Sequence, residues 1–451
     1  MTHISAGLFF LISILTVFDT ISQTEWASDA AILTTIFFLL IEVRRIPKSQ
    51  LIVGCCLITI GMAVSIYESH FYEIIYHGLK KTLLFLLLFA SVSWLQVPSS
   101  HSPSLLCIRQ TVLHQTPGRR FGVLIIVSHF LAATFNLASL SLLSPMLART
   151  TDQTTKKRLA RAMAQGFGAA TCWSPFFVGT VVVLAAVPEA RWIDVAPFGL
   201  GIALVFLTFG WINDRVFSSQ KKNPQEQDFA QAEFRTRDVI KAVSILGSLF
   251  LSVALLGKGL SWSIPIALAI VAPCFAIFWS FLIYMKTDRN GPIQTIQTVI
   301  SGYSSLRGEV LLFSGANIFG ASFSEFISTH KFALGLELLS TPIISISIVI
   351  LFFGFLCAAG LHPIITVVLI TSVMTPEMMG ISPLLLAIIL MAMWGQGTNS
   401  SPFSATILYL SRYVSQSIWT IAWCWNFPSV VLNMMLLMLL VNFIHFYFGI
   451  N

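Results

Sequence analysis

Residues 166–183 read GFGAATCWSPFFVGTVVV and residues 395–403 read GQGTNSSPF. Each stretch lies in an apolar run long enough to enter a bilayer, and each sets glycines and a proline where a helix would otherwise continue. Glycine costs about 1 kcal/mol in a helix interior and proline about 3 kcal/mol. Both stretches therefore predict a helix broken in mid-membrane, and what surrounds them has to explain why such a break is kept.

The rest of the chain supplies the membrane. Of 451 residues, 56% are hydrophobic and 10% charged, against roughly a quarter charged in soluble proteins. Apolar runs near the roughly 20 residues that a helical crossing needs recur from end to end. The reading is an all-α polytopic membrane protein with about eleven transmembrane helices and two re-entrant helical hairpins in inverted-topology repeats. The first run, AGLFFLISILTVF, lacks a basic leader and a small-residue cleavage site and reads as a retained helix. The seven cysteines fall mainly inside apolar runs, at spacings of neither a metal knuckle nor a redox pair, and read as small packing residues.

The net charge of +7 sits in short loops, so it reports orientation and not nucleic-acid binding. Arg44, Arg45 and Lys48, then Arg109, Arg119 and Arg120, then Arg149, Lys156, Lys157, Arg158 and Arg161 form three basic segments. The positive-inside rule puts all three in the cytoplasm, while the loops with Asp19, Glu25 and Asp29 and with Glu68 and Glu73 face outward. The expected arrangement is a bacterial inner (plasma) membrane protein with a cytoplasmic N-terminus and an outside C-terminus. Lys80 and Lys81 read as snorkelling to the interface.

Residues 121–147 are too short for two full spans and are flanked by basic loops, which predicts a hairpin that turns near Thr134 to Asn136 and stays sheltered by protein. FLAATFN at 130–136 is echoed by FLCAAGLH at 355–362, and GFGAATCWSPF at 166–176 by GQGTNSSPF at 395–403, so the offset stays between 225 and 229 residues. Two echoes in one order suggest duplication. The predicted organisation is an extra N-terminal helix at 1–22, a first inverted repeat at 23–212 (hairpin 121–147, broken helix 162–186) and a cytoplasmic linker at 213–238. A second repeat follows at 239–451 (hairpin 341–378, broken helix 382–412), with Lys286, Arg289 and Arg307 on a cytoplasmic connection. Inverted repeats with paired broken helices point to a secondary transporter with a midplane site.

Half-helix ends offer amides to anions and carbonyls to cations. The candidate ligands are Thr134, Asn136 and Ser139 at the first tip and Gly166, Gly168, Thr171 and Ser174 at the first break. The second repeat adds Gly360 and His362, then Gly395, Gly397, Thr398, Asn399, Ser400 and Ser401. These oxygens could serve Na+ as a coupling ion without a carboxylate, and no other cofactor is implied. The plainer reading of any one of them is close helix packing. His129 and His362 are candidate proton carriers or, more plainly, neutral hydrogen-bonded histidines. No HExxH, GxSxG or GxxxxGK[ST] pattern occurs, so neither a hydrolase nor an ATP-driven pump is indicated and no enzyme activity is expected.

The motifs FNLASLSLLSP (Asn136 nine residues before Pro145), GFGAATCWSPF, GQGTNSSPF and LLFSGANIFGASFSEFI at 311–327 resemble the ion transporter superfamily, which includes the divalent anion and sodium symporters and the arsenite permeases. The likeness spans about residues 120–450. The symporters' Ser-Asn-Thr tip signature is missing: Asn136 stands alone at the first tip, and Gly360 and His362 occupy the second. The resemblance implies a transport domain that slides against a scaffold, a homodimer, and carboxylate and sodium contacts at Asn136 and Thr398 to Ser401. The expected function is secondary active transport of a small anionic solute, coupled to Na+ or H+ by alternating access. Two other classes stay open: a membrane enzyme or export component acting on lipid-linked substrates, and a non-transporting scaffold.

Overall fold

Apolar side chains run around nearly every helix of this chain, so hydropathy sets the elements and the glycine, proline and serine positions set their ends. The computed structural model describes residues 2–113, 115, 117–150, 152–217, 236–260, 262–285, 290–330 and 341–448. In chain order the helices are α1 (Thr2–Ser22), α2 (Glu25–Glu42), α3 (Lys48–Tyr67), α4 (Phe71–His101), α5 (Pro103–Leu113), α6 (Pro117–Phe135), α7 (Ala138–Leu143), α8 (Pro145–Arg149), α9 (Gln153–Ala170) and α10 (Val178–Ala186). Then come α11 (Trp192–Phe217), α12 (Thr236–Leu260), α13 (Ile264–Tyr284), α14 (Gly291–Gly302), α15 (Arg307–His330), α16 (Pro342–Ala358), α17 (Pro363–Val373), α18 (Pro383–Ser400), α19 (Ala405–Val414), a π-helical turn at Thr420–Asn426 and α20 (Phe427–Phe448).

Among the described residues nine helical stretches are long and apolar enough to cross a membrane, and the chain is an all-α polytopic membrane protein. The pairs α9/α10 and α18/α19 do not count among the nine, because a non-helical turn interrupts each.

The chain divides into two units. The first comprises Met1–His101, Ile245–Leu334 and Thr371–Val373. Several of its buried polar groups bond one another, although the Ser28 and Ser314 hydroxyls have no hydrogen-bond partner. The Glu42 carboxylate, fully buried on α2, accepts from Ser5 Oγ at 2.5 Å, Arg45 at 3.1 Å and Arg307 at 3.3 Å. A buried carboxylate is tolerable only with such partners. The same contacts gather Arg45 and Arg307, from two segments that the charge rule assigned to one side, at one end of the unit. Asn317 Nδ2 donates to Thr82 Oγ1 at 3.2 Å, and Ser65 and Ser322 lie 3.0 Å apart.

The second unit comprises Ser102–Ser244, Gly335–Ile370 and Met374–Asn451, and contains both interrupted helices. Its centre is α18, buried from Leu385 to Ser400. A helix apolar all round belongs in such a core. Ser382 caps α18 by accepting from the Leu385 amide at 3.3 Å, and Asp152 caps α9 through the Thr155 amide at 2.8 Å.

Several boundaries differ from the sequence reading. α11 runs on to Phe217 and α12 starts at Thr236, so both ends of the 213–238 segment are helical, and its residues 218–235 lie outside the described residues, as do Lys286 and Arg289. The helix after the second turn stops at Val373 and not near 378. α5, α14 and the π-helical turn have no counterpart in the sequence reading, because a search for bilayer-length apolar runs passes over short elements.

Candidate functional site

Around the first turn, α6 ends at Phe135 and the chain reverses at Asn136, whose φ of +50° is a left-handed value that Asn adopts more readily than most residues. The Asn136 carbonyl accepts from Ser139 Oγ at 2.7 Å, which closes the turn on itself. Thr134 is the penultimate residue of α6, and its hydroxyl donates to the Phe130 carbonyl at 3.3 Å. The Thr134 and Ser139 hydroxyls are therefore satisfied within their own hairpin.

The first break follows α9. Thr171 Oγ1 donates to the Gly168 carbonyl at 2.8 Å and to the Met391 carbonyl of α18 at 3.0 Å. Ser174 Oγ donates to the Ala133 carbonyl of α6 and accepts from the Phe176 amide at 3.2 Å. Thr180 Oγ1 donates to the Ser174 carbonyl at 2.7 Å. Gly166 lies against Ser128 and His129 of α6, where a methyl group would stand 2.8 Å from the Ser128 Cβ.

Gly168 and Gly395 bring the two interrupted helices together. A methyl group on Gly168 would stand 2.6 Å from Asn399 Nδ2 and 2.9 Å from the Gly395 carbonyl oxygen. One on Gly395 would collide with the Gly168 carbonyl and stand 2.6 Å from Thr171 Oγ1. Only a residue without Cβ lets two backbones approach this closely.

At the second break Thr398 Oγ1 donates to the Gly395 carbonyl at 2.9 Å, Ser400 Oγ to the Gly397 carbonyl at 3.4 Å, and Ser404 Oγ to the Thr398 carbonyl at 2.5 Å. Asn399 Oδ1 and Ser401 Oγ, on residues 3% and 0% exposed, have no hydrogen-bond partner. An unsatisfied buried polar atom costs about 1–3 kcal/mol, so such atoms call for an explanation in function. Gly397 sits against Cys357, Phe353 and Pro363 of the second hairpin, and Gly360, with φ of +108°, turns that hairpin beside Phe403.

Both histidines act as acceptors. His129 Nε2 takes the Trp173 Nε1 hydrogen at 3.1 Å, and His362 Nδ1 takes the Ile364 amide at 3.3 Å, capping α17. A ring nitrogen that accepts carries no proton, so each imidazole is neutral in this conformation. Among the described residues no three His, Cys, Asp or Glu side chains gather as metal ligands.

Of the predicted set, Gly168, Thr171, Gly395 and Asn399 meet at one locus, and Ser174 and Gly166 join the first break to α6. Gly360 and Gly397 join the second hairpin to the second break. Sequence reasoning missed the polar neighbours on α9, α18 and α20. Gln165 and Arg161 both donate to Ser429 Oγ at 3.0 Å, and Asn433 Nδ2 donates to Gln396 Oε1 at 3.0 Å. The signal was present: Asn426, Ser429 and Asn433 are spaced to share one face of an otherwise apolar helix.

The fold that these elements build is similar to that of a membrane transporter of known structure. The YdaH transporter of Alcanivorax borkumensis, whose crystal structure revealed an unusual topology, superposes with a TM-score of 0.55 at 12% identity over 81% of this chain and 86% of that one. MtrF of Neisseria gonorrhoeae, which illuminates a class of antimetabolite efflux pumps, aligns with a TM-score of 0.44 at 14% identity over 83% of this chain and 84% of its own. No family model and no curated protein matches the sequence. The likeness supports a membrane-transporter fold and does not reach the ion transporter superfamily that the sequence motifs resemble.

Proposed function

We propose that this chain is a secondary active transporter of a small anionic solute, coupled to Na+ or H+ and working by alternating access about the two helix breaks. The observation that carries the proposal is the locus of Gly168, Thr171, Gly395 and Asn399, where two interrupted helices meet backbone to backbone inside one unit. A broken helix inside a bilayer is stable only where protein or a polar cavity shelters the freed backbone. Near this locus α9 and α18 finish with carbonyl ends, which suit a small cation, and α10 and α19 begin with amide ends, which suit an anion.

Sodium fits this locus better than a proton. The Asn399 amide oxygen, the Ser401 hydroxyl and nearby carbonyls are hard oxygen donors. His129 and His362 are occupied as acceptors, so a proton would have to displace an existing hydrogen bond at either one. In this reading the second unit moves the solute and the first unit serves as scaffold, with a homodimer as the assembly.

Uptake into proteoliposomes tests the function. With a panel of labelled organic and inorganic anions, an imposed sodium gradient is expected to drive accumulation of at least one of them above its equilibrium level. No gradient-driven uptake of any panel member, under sodium or proton gradients, would overturn the proposal.

A further inference from the structure

On the second unit a polar seam leads toward the Gly168–Asn399 locus, and Arg161 stands at its far end. Arg161, Gln165 and Gly168 are four and three residues apart on α9, so they share one helix face. Opposite them, Asn426, Ser429 and Asn433 share one face of the π-helical turn and α20. Ser429 Oγ joins the two rows, at 3.0 Å from both Arg161 Nη2 and Gln165 Nε2. Asn433 continues to Gln396 on α18, three residues from Asn399.

This seam is short of partners. Arg161 Nε, Gln165 Oε1 and both side-chain polar atoms of Asn426 are buried with no hydrogen-bond partner, and Asn426 is 2% exposed. Charge is unbalanced too. Arg158 and Arg161 both lie near one carboxylate, Asp214, which Arg158 grips at 2.7 and 3.1 Å. Among the described residues no carboxylate comes within ion-pair distance of Arg161. A buried guanidinium with one nitrogen unpartnered, beside a carboxylate that it shares with Arg158, is a natural contact for an anionic ligand.

We infer that Arg161, Gln165, Asn426 and Ser429 form a binding site for a small carboxylate that also carries a hydrogen-bond donor. The open atoms define the ligand. The Arg161 and Asn426 N–H groups would take the carboxylate oxygens, and a guanidinium matches that group in shape as well as charge. Gln165 Oε1 and Asn426 Oδ1 accept, so they ask for a hydroxyl or amine on the ligand. The assignment rests on the transporter reading only in making this site a stage on the solute's route.

The full chain in detergent provides the test, with thermal stabilisation as the readout. Sodium L-malate and L-lactate are expected to stabilise it, propionate several-fold more weakly, and sodium chloride at equal ionic strength not at all. Arg161→Gln should weaken the malate response about tenfold or more, while Arg161→Lys holds part of it. Asn426→Ala removes no hydrogen bond recorded in the structure, so it should fold as the wild type does while weakening the response to all three carboxylates and lowering the preference for malate and lactate over propionate. Three outcomes overturn the inference: none of the carboxylates stabilises; Arg161→Gln responds as the wild type does; or glycerol 3-phosphate outcompetes malate, which would make this a phosphate-ester site such as a lipid headgroup would fill. Transport separates the two claims. Arg161-dependent malate binding without uptake of any anion would retain the site and remove the transporter reading. Uptake with an unchanged KM in Arg161→Gln would do the reverse.

Discussion

The two helix breaks carry the same three residues, Ser174-Pro175-Phe176 and Ser401-Pro402-Phe403, yet their serines do opposite things. Ser174 Oγ is bonded to the Ala133 carbonyl of the adjoining hairpin, whereas the Ser401 hydroxyl is buried without a partner. The counterpart of Ala133 in the second echo is Ala358, and its carbonyl is taken by Trp423 Nε1 at 3.1 Å instead. Thr171 is likewise bonded twice, while Asn399 keeps an open oxygen. One break is latched to its hairpin through its own serine and the other keeps its ligands free. The Ser-Pro-Phe triplet thus recurs with its serine bonded at one break and without a partner at the other.

The largest expected effect comes from closing the space between the breaks. Gly395→Val would drive side-chain atoms into the Gly168 carbonyl and Thr171 Oγ1. Overpacking of this kind costs about 1–3 kcal/mol or more, so uptake should be lost and thermal unfolding should shift clearly downward. An unchanged melting profile would mean that the breaks do not touch.

Serine replacements come next and bear on the asymmetry itself. Ser174→Ala leaves the Ala133 carbonyl without its donor and should destabilise the chain by about 0.6–2 kcal/mol. Ser401→Ala removes no hydrogen bond, so its stability should stay within about 0.5 kcal/mol of the wild type while the ion dependence of uptake changes. Equal stability losses in the two variants would erase the distinction.

A smaller effect separates the helices that lead into the breaks. Asp152 caps α9, and the hydrogen bonds it accepts from the Thr155 side chain and amide hold its carboxyl below the usual 3.8. A depressed folded-state pKa contributes stability that is present above the unfolded value and lost as pH falls through the lower folded one. Asp152→Ala should therefore cost about 1 kcal/mol near neutral pH, and the difference from wild type should shrink below about pH 4. Ser382→Ala, at the cap of α18, should show no such pH dependence, since a hydroxyl does not titrate there.

Much of the framework is legible in the sequence, because it rests on residues whose backbone demands are strong. Pro175 announces the first break and Asn136 the first turn, whereas Gly166 and Gly168 remain within α9 and serve its close packing instead of interrupting it. Gly360 marks the second turn, where φ is positive. The functional asymmetry is not legible, because the Ser-Pro-Phe triplets are identical and only tertiary neighbours tell a latched hydroxyl from a free one. Arg161 reads in sequence as one more topological charge, and its pairing with Ser429 emerges only when α9 and α20 pack. The π-helical turn, TIAWCWN, has the composition of an ordinary apolar helix, so nothing local predicts the bulge that carries Asn426 and Trp423.

The central claim is that the paired breaks form a coupled transport site whose open ligands come from the second break. Sodium-gradient-driven anion uptake into proteoliposomes, compared among the wild type, Asn399→Ala and Thr171→Ala, tests it most directly. The account predicts that Asn399→Ala loses sodium dependence while its thermal stability is retained, and that Thr171→Ala keeps sodium dependence but unfolds at lower temperature. Sodium-driven uptake that is equally intact in Asn399→Ala would contradict it.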